Sequence, residues 1–192
     1  MKLLTPADYV AFPWKNGRGV TTDIAALYRP GATSRDWSDI LWRFGRTPIP
    51  ESGPYSDLSG FERLQVLISG EGFKIHTEDG AVHRDLSRRY APVRYDGGTK
   101  LAGRLNGGPV ETANLLYRRD AFTGDLLAPA PGSRLALKDG THMIHAADGP
   151  ATVEIDGTAH ALADRHTLRI DGAASFAALA GRVLVASLFV KS

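Results

Sequence analysis

The chain has 192 residues, 43% of them hydrophobic and 23% charged, which suits one large globular domain or two small fused ones and excludes a disordered polymer. Its 23 Lys plus Arg stand against 21 Asp plus Glu, so net charge predicts no attraction to nucleic acid or to an acidic membrane surface. The absence of cysteine excludes a disulfide scaffold, a zinc ribbon, an iron–sulfur cluster and thiol catalysis.

In chain order, residues 1–6 carry one cation, two leucines and a proline, without the apolar core of a secretory signal, so a cytoplasmic location is expected. Residues 13–23, Pro13-Trp14-Lys15-Asn16-Gly17-Arg18-Gly19-Val20-Thr21-Thr22-Asp23, are the densest polar constellation. Asn16-Gly17 is a strong turn pair, and Lys15 with Asn16 could present donors to a ligand. Neither a dinucleotide fingerprint nor a P-loop fits, because the third Gly or the Gly-Lys-Ser/Thr is missing. Residues 21–28 can carry a helical turn or two.

Residues 39–46 read as a strand with Trp42 and Phe44 on one face and Arg43 on the other. A turn-rich loop with Tyr55 and Ser56 leads to Arg63, where 63–69 alternates strictly. Leu64, Val66 and Ile68 share one face, and Arg63, Gln65 and Ser69 share the opposite one with Leu67. Gly70-Glu71-Gly72 closes that strand, and 73–77 returns beside it. Further strands are expected at 100–105, 110–119, 151–155, 166–170 and 183–190. In 110–119, Thr112, Asn114 and Arg118 fall on one face. The apolar stretch 173–190 is broken by Gly181 and Arg182 before it could span a bilayer and reads as two buried strands, though 173–180 can also carry a helical turn.

The 21 Gly and 11 Pro punctuate these runs at short intervals, which is all-β grammar, and closure or a double sheet would remove exposed edges. The order strand, Gly turn, strand, acidic turn at 64–79 recurs at 144–156, a faint internal duplication with a change of composition near 127–133.

Two arginines flanking a loop that carries hydroxyls suggest a shared cavity, since guanidinium groups grip carboxylates through paired hydrogen bonds. At this point the sequence resembles a known family. Pro13-Trp14-Lys15-Asn16-Gly17, Trp42-Arg43, Gly53-Pro54-Tyr55-Ser56, Gly60-Phe61-Glu62-Arg63, Leu67-Ile68-Ser69-Gly70-Glu71-Gly72, and Asn114 with Arg118-Arg119 resemble the HutD/Ves family in the same order. The resemblance is strongest over residues 5–120. It implies an all-β, two-part cupin of the RmlC-like type with little helix, one half at 1–120 holding the ligand pocket and a cupin-like half at 121–192. It implies a binding protein without established catalysis that takes a carboxylate-bearing intermediate of histidine breakdown, of the urocanate or formylglutamate class, and moderates pathway expression.

Carried over position by position, the family's motifs fall on Trp14, Lys15 and Asn16, on Trp42 and Arg43, on Tyr55 and Ser56, on Gly60 and Arg63, and on Thr112, Ala113 and Asn114. The sequence departs from the family at Arg18, Asp23, Gly45, Thr112 and Ala113. In the expected site Arg43 and Arg63 anchor the carboxylate, Trp14, Lys15 and Asn16 form a wall, Tyr55 and Ser56 a gate, and Asn114 the base. Pairing of cupins through exposed strands makes a homodimer the expected assembly, with no nucleic acid or membrane partner.

Cupins often hold a metal through two His, a Glu and a later His. Here the Glu position falls near Arg63 and no His-x-His lies just upstream, so a cation stands where a divalent ion would need an anion, and an anion pocket without cofactor is expected. His142, His145, His160 and His166 could form a zinc or iron set, but a spacing of three on a strand points side chains to opposite faces and no carboxylate supports them. His76 and His83 flank a turn and are expected in solvent. No Gly-x-Ser-x-Gly occurs and no catalytic residue is assigned. The alternatives are a cupin enzyme, either a metal-dependent oxygenase or a metal-free isomerase with Lys15 or a histidine as base, and an interaction protein whose barrel is only a scaffold.

Overall fold

Period-two alternation decides most of the local structure. The strand Phe122–Leu127 buries Phe122, Gly124 and Leu126 and exposes Thr123, Asp125 and Leu127, as a sheet with one wet face requires. Ile40–Ile49 and Val110–Arg118 are buried on both faces, which marks them as central strands. The computed structural model describes every residue except Arg18, 33–35 and Ser192. Among the described residues the elements are antiparallel strands, numbered here in chain order, and one 3-10 turn at Pro6–Asp8 that Asp8 caps by accepting from the Thr5 amide and hydroxyl. The departure noted at Arg18 lies outside the described residues.

The chain divides into two compact units, Val10–Ala121 and Met1–Tyr9 with Phe122–Ser192. In the first, a six-stranded sheet runs β2 (Val10–Pro13), β3 (Val20–Tyr28), β4 (Ile40–Ile49), β11 (Val110–Arg118), β6 (Phe61–Ser69), β9 (Val93–Asp96). A four-stranded sheet runs β5 (Gly53–Pro54), β10 (Leu101–Leu105), β7 (Phe73–Thr77), β8 (Val82–Asp85). Leu67, Phe73, Ile75, Leu86, Tyr95, Leu101 and Val110 join the two sheets in one buried cluster.

In the second unit, a five-stranded sheet runs β1 (Lys2–Leu4), β17 (Thr167–Asp171), β14 (Thr141–Ala146), β19 (Val183–Val190), β12 (Phe122–Leu127). Its four-stranded partner runs β13 (Arg134–Leu137), β18 (Ala174–Ala180), β15 (Ala151–Ile155), β16 (Thr158–Leu162). The order β4, β11, β6, β9 is repeated by β12, β19, β14, β17, and β5, β10, β7, β8 by β13, β18, β15, β16. The fold is all-β with almost no helix, as expected.

Two expectations differ from this. Residues 21–28, expected to carry a helical turn or two, form the strand β3, and 173–180 forms β18, the first of the two strands expected in 173–190; each is hydrogen-bonded on both sides. Short apolar runs do not distinguish helix from strand, and ladder partners distant in sequence decide them here. Residues 1–9 lie with the C-terminal unit and not with 10–121, because β1 pairs with β17 in the register Leu3 to Leu168. No helix among the described residues is long and apolar enough to cross a membrane.

Candidate functional site

The site grows from one face of the six-stranded sheet. Antiparallel register sets Arg43, Leu116 and Arg63 in one row across β4, β11 and β6, and Tyr95 of β9 continues it beside Arg63. The next row is Asp23, Gly45, Asn114 and Gln65, and the third is Thr47, Thr112 and Leu67. Two arginines twenty residues apart in sequence thus stand two strand spacings apart, about 9–10 Å at the backbone, with a leucine between them.

Hydrogen bonds tie these rows into a chain. The hydroxyls of Tyr95 and Tyr55 both donate to Oε1 of Gln65, at 2.6 and 3.1 Å, and the Gln65 amide donates to the Thr112 hydroxyl at 3.2 Å. Asn114 donates through Nδ2 to the hydroxyls of Thr112 and Thr47, both at 3.1 Å, which turns its Oδ1 toward Arg63 Nε at 3.3 Å. The Thr47 and Thr21 hydroxyls share a bond of 2.8 Å, and Trp14 Nε1 donates to Thr21 at 3.1 Å. A buried network whose members are mutually satisfied fixes each rotamer.

The two guanidiniums have different surroundings. Arg43 is 3% exposed, lies 4.3 Å from the Phe12 ring centre and 4.9 Å from that of Trp37, and donates through Nε and Nη2 to Asp23 Oδ1 at 2.9 and 2.5 Å. Burial lowers its proton affinity from the ordinary arginine value, and the Asp23 carboxylate opposes that. Arg63 is half-buried, with its guanidinium carbon 4.4 Å from the Tyr55 ring centre and 5.7 Å from that of Tyr95, and meets no carboxylate among the described residues. Burial raises the Tyr55 phenol above its ordinary value although Arg63 pulls it down, and burial raises Tyr95 further.

The cavity against this face leaves about 90 Å³ for the centres of water-sized molecules, several times what one water needs. Trp14, Asn16, Arg43, Tyr55, Ser56, Arg63 and Asn114 all line it. Lys15 does not; its Nζ donates outward to the Asp57 carbonyl at 3.0 Å. Asn16 reaches the Pro54 carbonyl from Nδ2 at 3.3 Å, so the 13–23 loop is tied to the segment that carries Tyr55 and Ser56. That loop needs Gly19, since a Cβ there would press into the Trp14 indole at 2.8 Å. Arg118 shares the strand face of Thr112 and Asn114 but leaves the cavity for Phe61 and the carbonyls of Ile40 and Ser38, and Arg119 pairs with Asp96.

Sequence reasoning missed Thr21, Thr47, Gln65, Tyr95 and Trp37. Alternation did put Gln65 on the face of Arg63, and Asp23 stood out as a departure, but nothing local linked Asp23 to Arg43.

The histidines do not converge. His142 lies between the Ser187 hydroxyl at 2.8 Å and the Lys138 carbonyl at 2.9 Å, and His145 holds the Thr167 hydroxyl at 2.9 Å; both are fully buried. Among the described residues no three His, Asp or Glu side chains group as metal ligands. His83 is not the solvated residue expected: its ring packs edge-on to Tyr95 and its Nε2 is buried without a partner.

The HutD family model matches residues 6–185. A 21.2 kDa protein of the hutC 3′ region in Pseudomonas putida is 29% identical over 161 residues, 82% of this chain and 79% of that protein. HutD from Pseudomonas fluorescens SBW25 superposes with a TM-score of 0.80 at 24% identity, covering 100% of this chain and 99% of the other. Vicilin from Capsicum annuum superposes at 0.58 with 11% identity, over 99% and 86%, which is a likeness of cupin fold alone.

Proposed function

We propose that this chain, which belongs to the HutD family, serves histidine utilisation as a non-catalytic binding protein whose cavity takes a small carboxylate-bearing metabolite, of the urocanate or formylglutamate class, and thereby moderates expression of the pathway. The observation that carries the reading is Arg63. Its Nε is engaged by neutral Asn114, and its remaining donors meet no carboxylate among the described residues. The amides and hydroxyls of the network around it are already spoken for: Gln65 and Asn114 use both ends, and Thr112 and Thr47 already accept. What the wall still offers is cationic donor capacity, which fits an anionic acceptor.

A finding on a relative supports the same reading: the Pseudomonas putida protein lies in a hut region. Thermal unfolding with formate, urocanate and formylglutamate tests the proposal. A true ligand at a hundredfold excess over Kd stabilises by about 2.7 kcal/mol, which raises Tm by about 5–10 °C in a chain of this size. Arg63→Met removes that rise and leaves the ligand-free Tm within a few degrees. If none of the three acids moves Tm, the carboxylate reading is wrong.

A further inference from the structure

Among the described residues the cavity holds two guanidiniums, and one of them, Arg63, meets no carboxylate. Asp23 reaches Arg43 because β3 places it opposite Gly45, and Gly45 has no side chain to intervene: a Cβ there would lie 3.0 Å from Asp23 Oδ1 and 2.6 Å from the Thr22 carbonyl. The pair is buried at both ends, with side chains 3% and 6% exposed. Arg63 has aromatic rings and an amide for company. Among the described residues the carboxylate that lines the cavity is Glu51, exposed in the segment between β4 and β5, while Asp23 stands behind Arg43 and does not line it. One negative charge on a ligand therefore completes Arg63, and a second would face Glu51 with Arg43 already taken by Asp23.

We propose that the site selects acids carrying a single negative charge, and that Asp23 sets this selectivity by neutralising Arg43. The proposal rests on the carboxylate reading above and narrows it to the urocanate class, since formylglutamate carries two carboxylates. The remainder of the wall agrees, since Ile49, Leu58, Phe73 and Leu116 with the Trp14 and Trp37 rings suit an uncharged, flat or apolar body. A second carboxylate placed among them loses its water and gains no partner. The ligand class is a small monocarboxylate.

Calorimetric titration of the full chain at neutral pH with crotonate, fumarate and monomethyl fumarate decides this, because the three share a planar four-carbon acid skeleton and differ in charge. The expected result is that crotonate and monomethyl fumarate bind about tenfold or more tightly than fumarate. Asp23→Asn, which frees Arg43, shifts the preference toward fumarate. Adding Arg43→Met to Asp23→Asn returns a single cation and the original order, a reversal that loss of packing alone would not produce. If Asp23→Asn does not fold, the wild type and the double variant still decide, since both must prefer the monoanions. Fumarate binding as tightly as crotonate to the wild type overturns the inference and leaves the carboxylate reading intact. Binding of none of the three overturns both.

Discussion

The guanidinium carbon of Arg63 lies 4.4 Å above the centre of the Tyr55 ring, and the Tyr55 hydroxyl donates to Gln65 at 3.1 Å. The ring is therefore a platform held at its far end by the sheet, and the cation rests on its face. A stacked cation of this kind contributes about 0.5–2 kcal/mol, and its larger effect here is to aim the unused donors of Arg63.

Separating the platform from its tether gives the first prediction. Tyr55→Phe keeps the ring and loses one hydrogen bond, so urea unfolding shows a cost of about 0.5–1.5 kcal/mol while the carboxylate-dependent rise in Tm persists. Tyr55→Ala removes the platform, and that rise falls to a small fraction of the wild-type value. Equal ligand response in the two variants contradicts the assigned role of the ring.

The buried phenols predict behaviour in alkali. Tyr95, and to a lesser degree Tyr55, hold their protons above the ordinary value of 10.0, chiefly because burial disfavours the phenolate. The unfolded chain releases these protons near pH 10, while the native chain keeps them to higher pH. Above pH 10 the native state thus binds more protons, and its stability falls as pH rises toward the raised native values. Urea titrations between pH 9 and 11 will show that decline, and Tyr95→Phe will make it shallower. An unchanged slope in Tyr95→Phe would place the alkaline sensitivity elsewhere.

Arg43 and Asp23 should behave as a unit. Arg43→Met alone takes the guanidinium from a buried carboxylate and costs about 3–5 kcal/mol. Converting Asp23 to Asn in the same chain removes the charge that Arg43 had faced, so the double variant is more stable than Arg43→Met. A double-mutant cycle by urea unfolding should give a coupling of about 0.5–3 kcal/mol. Simple additivity would mean that the pair is not coupled in solution.

Gly45→Ala tests the close approach that lets this pair form. The added methyl meets the Thr22 carbonyl at 2.6 Å and Asp23 Oδ1 at 3.0 Å, and neither β3 nor the ion pair can yield without loosening the ladder. The expected cost is about 1–3 kcal/mol, with weakened carboxylate binding. A neutral effect on stability would show that β3 has room to retreat.

Part of this protein could be read locally. Alternation placed Arg63, Gln65 and Leu67 on one face of β6, and the structure keeps them there; Gly70 and Gly72, both at positive φ, mark the turn that sends β7 into the second sheet. The cavity-lining residues Trp14, Asn16, Arg43, Tyr55, Ser56, Arg63 and Asn114 could be named before any geometry because the motifs of the family that the sequence resembles fall on them. Lys15 belongs to the same motif, yet its side chain leaves for Asp57. On a turn, unlike a strand, no period fixes the direction of successive side chains.

The sequence by itself determined the all-β class, most strand positions and the face that carries the two arginines, because a period of two is written in neighbouring residues. Only the tertiary structure decided that 21–28 extends as β3, that Asp23 thereby reaches Arg43, and that Arg63 meets no such carboxylate among the described residues. Those outcomes depend on register between strands about twenty to fifty residues apart in the chain, and charge compensation across a sheet follows from which partner a ladder brings within 3 Å.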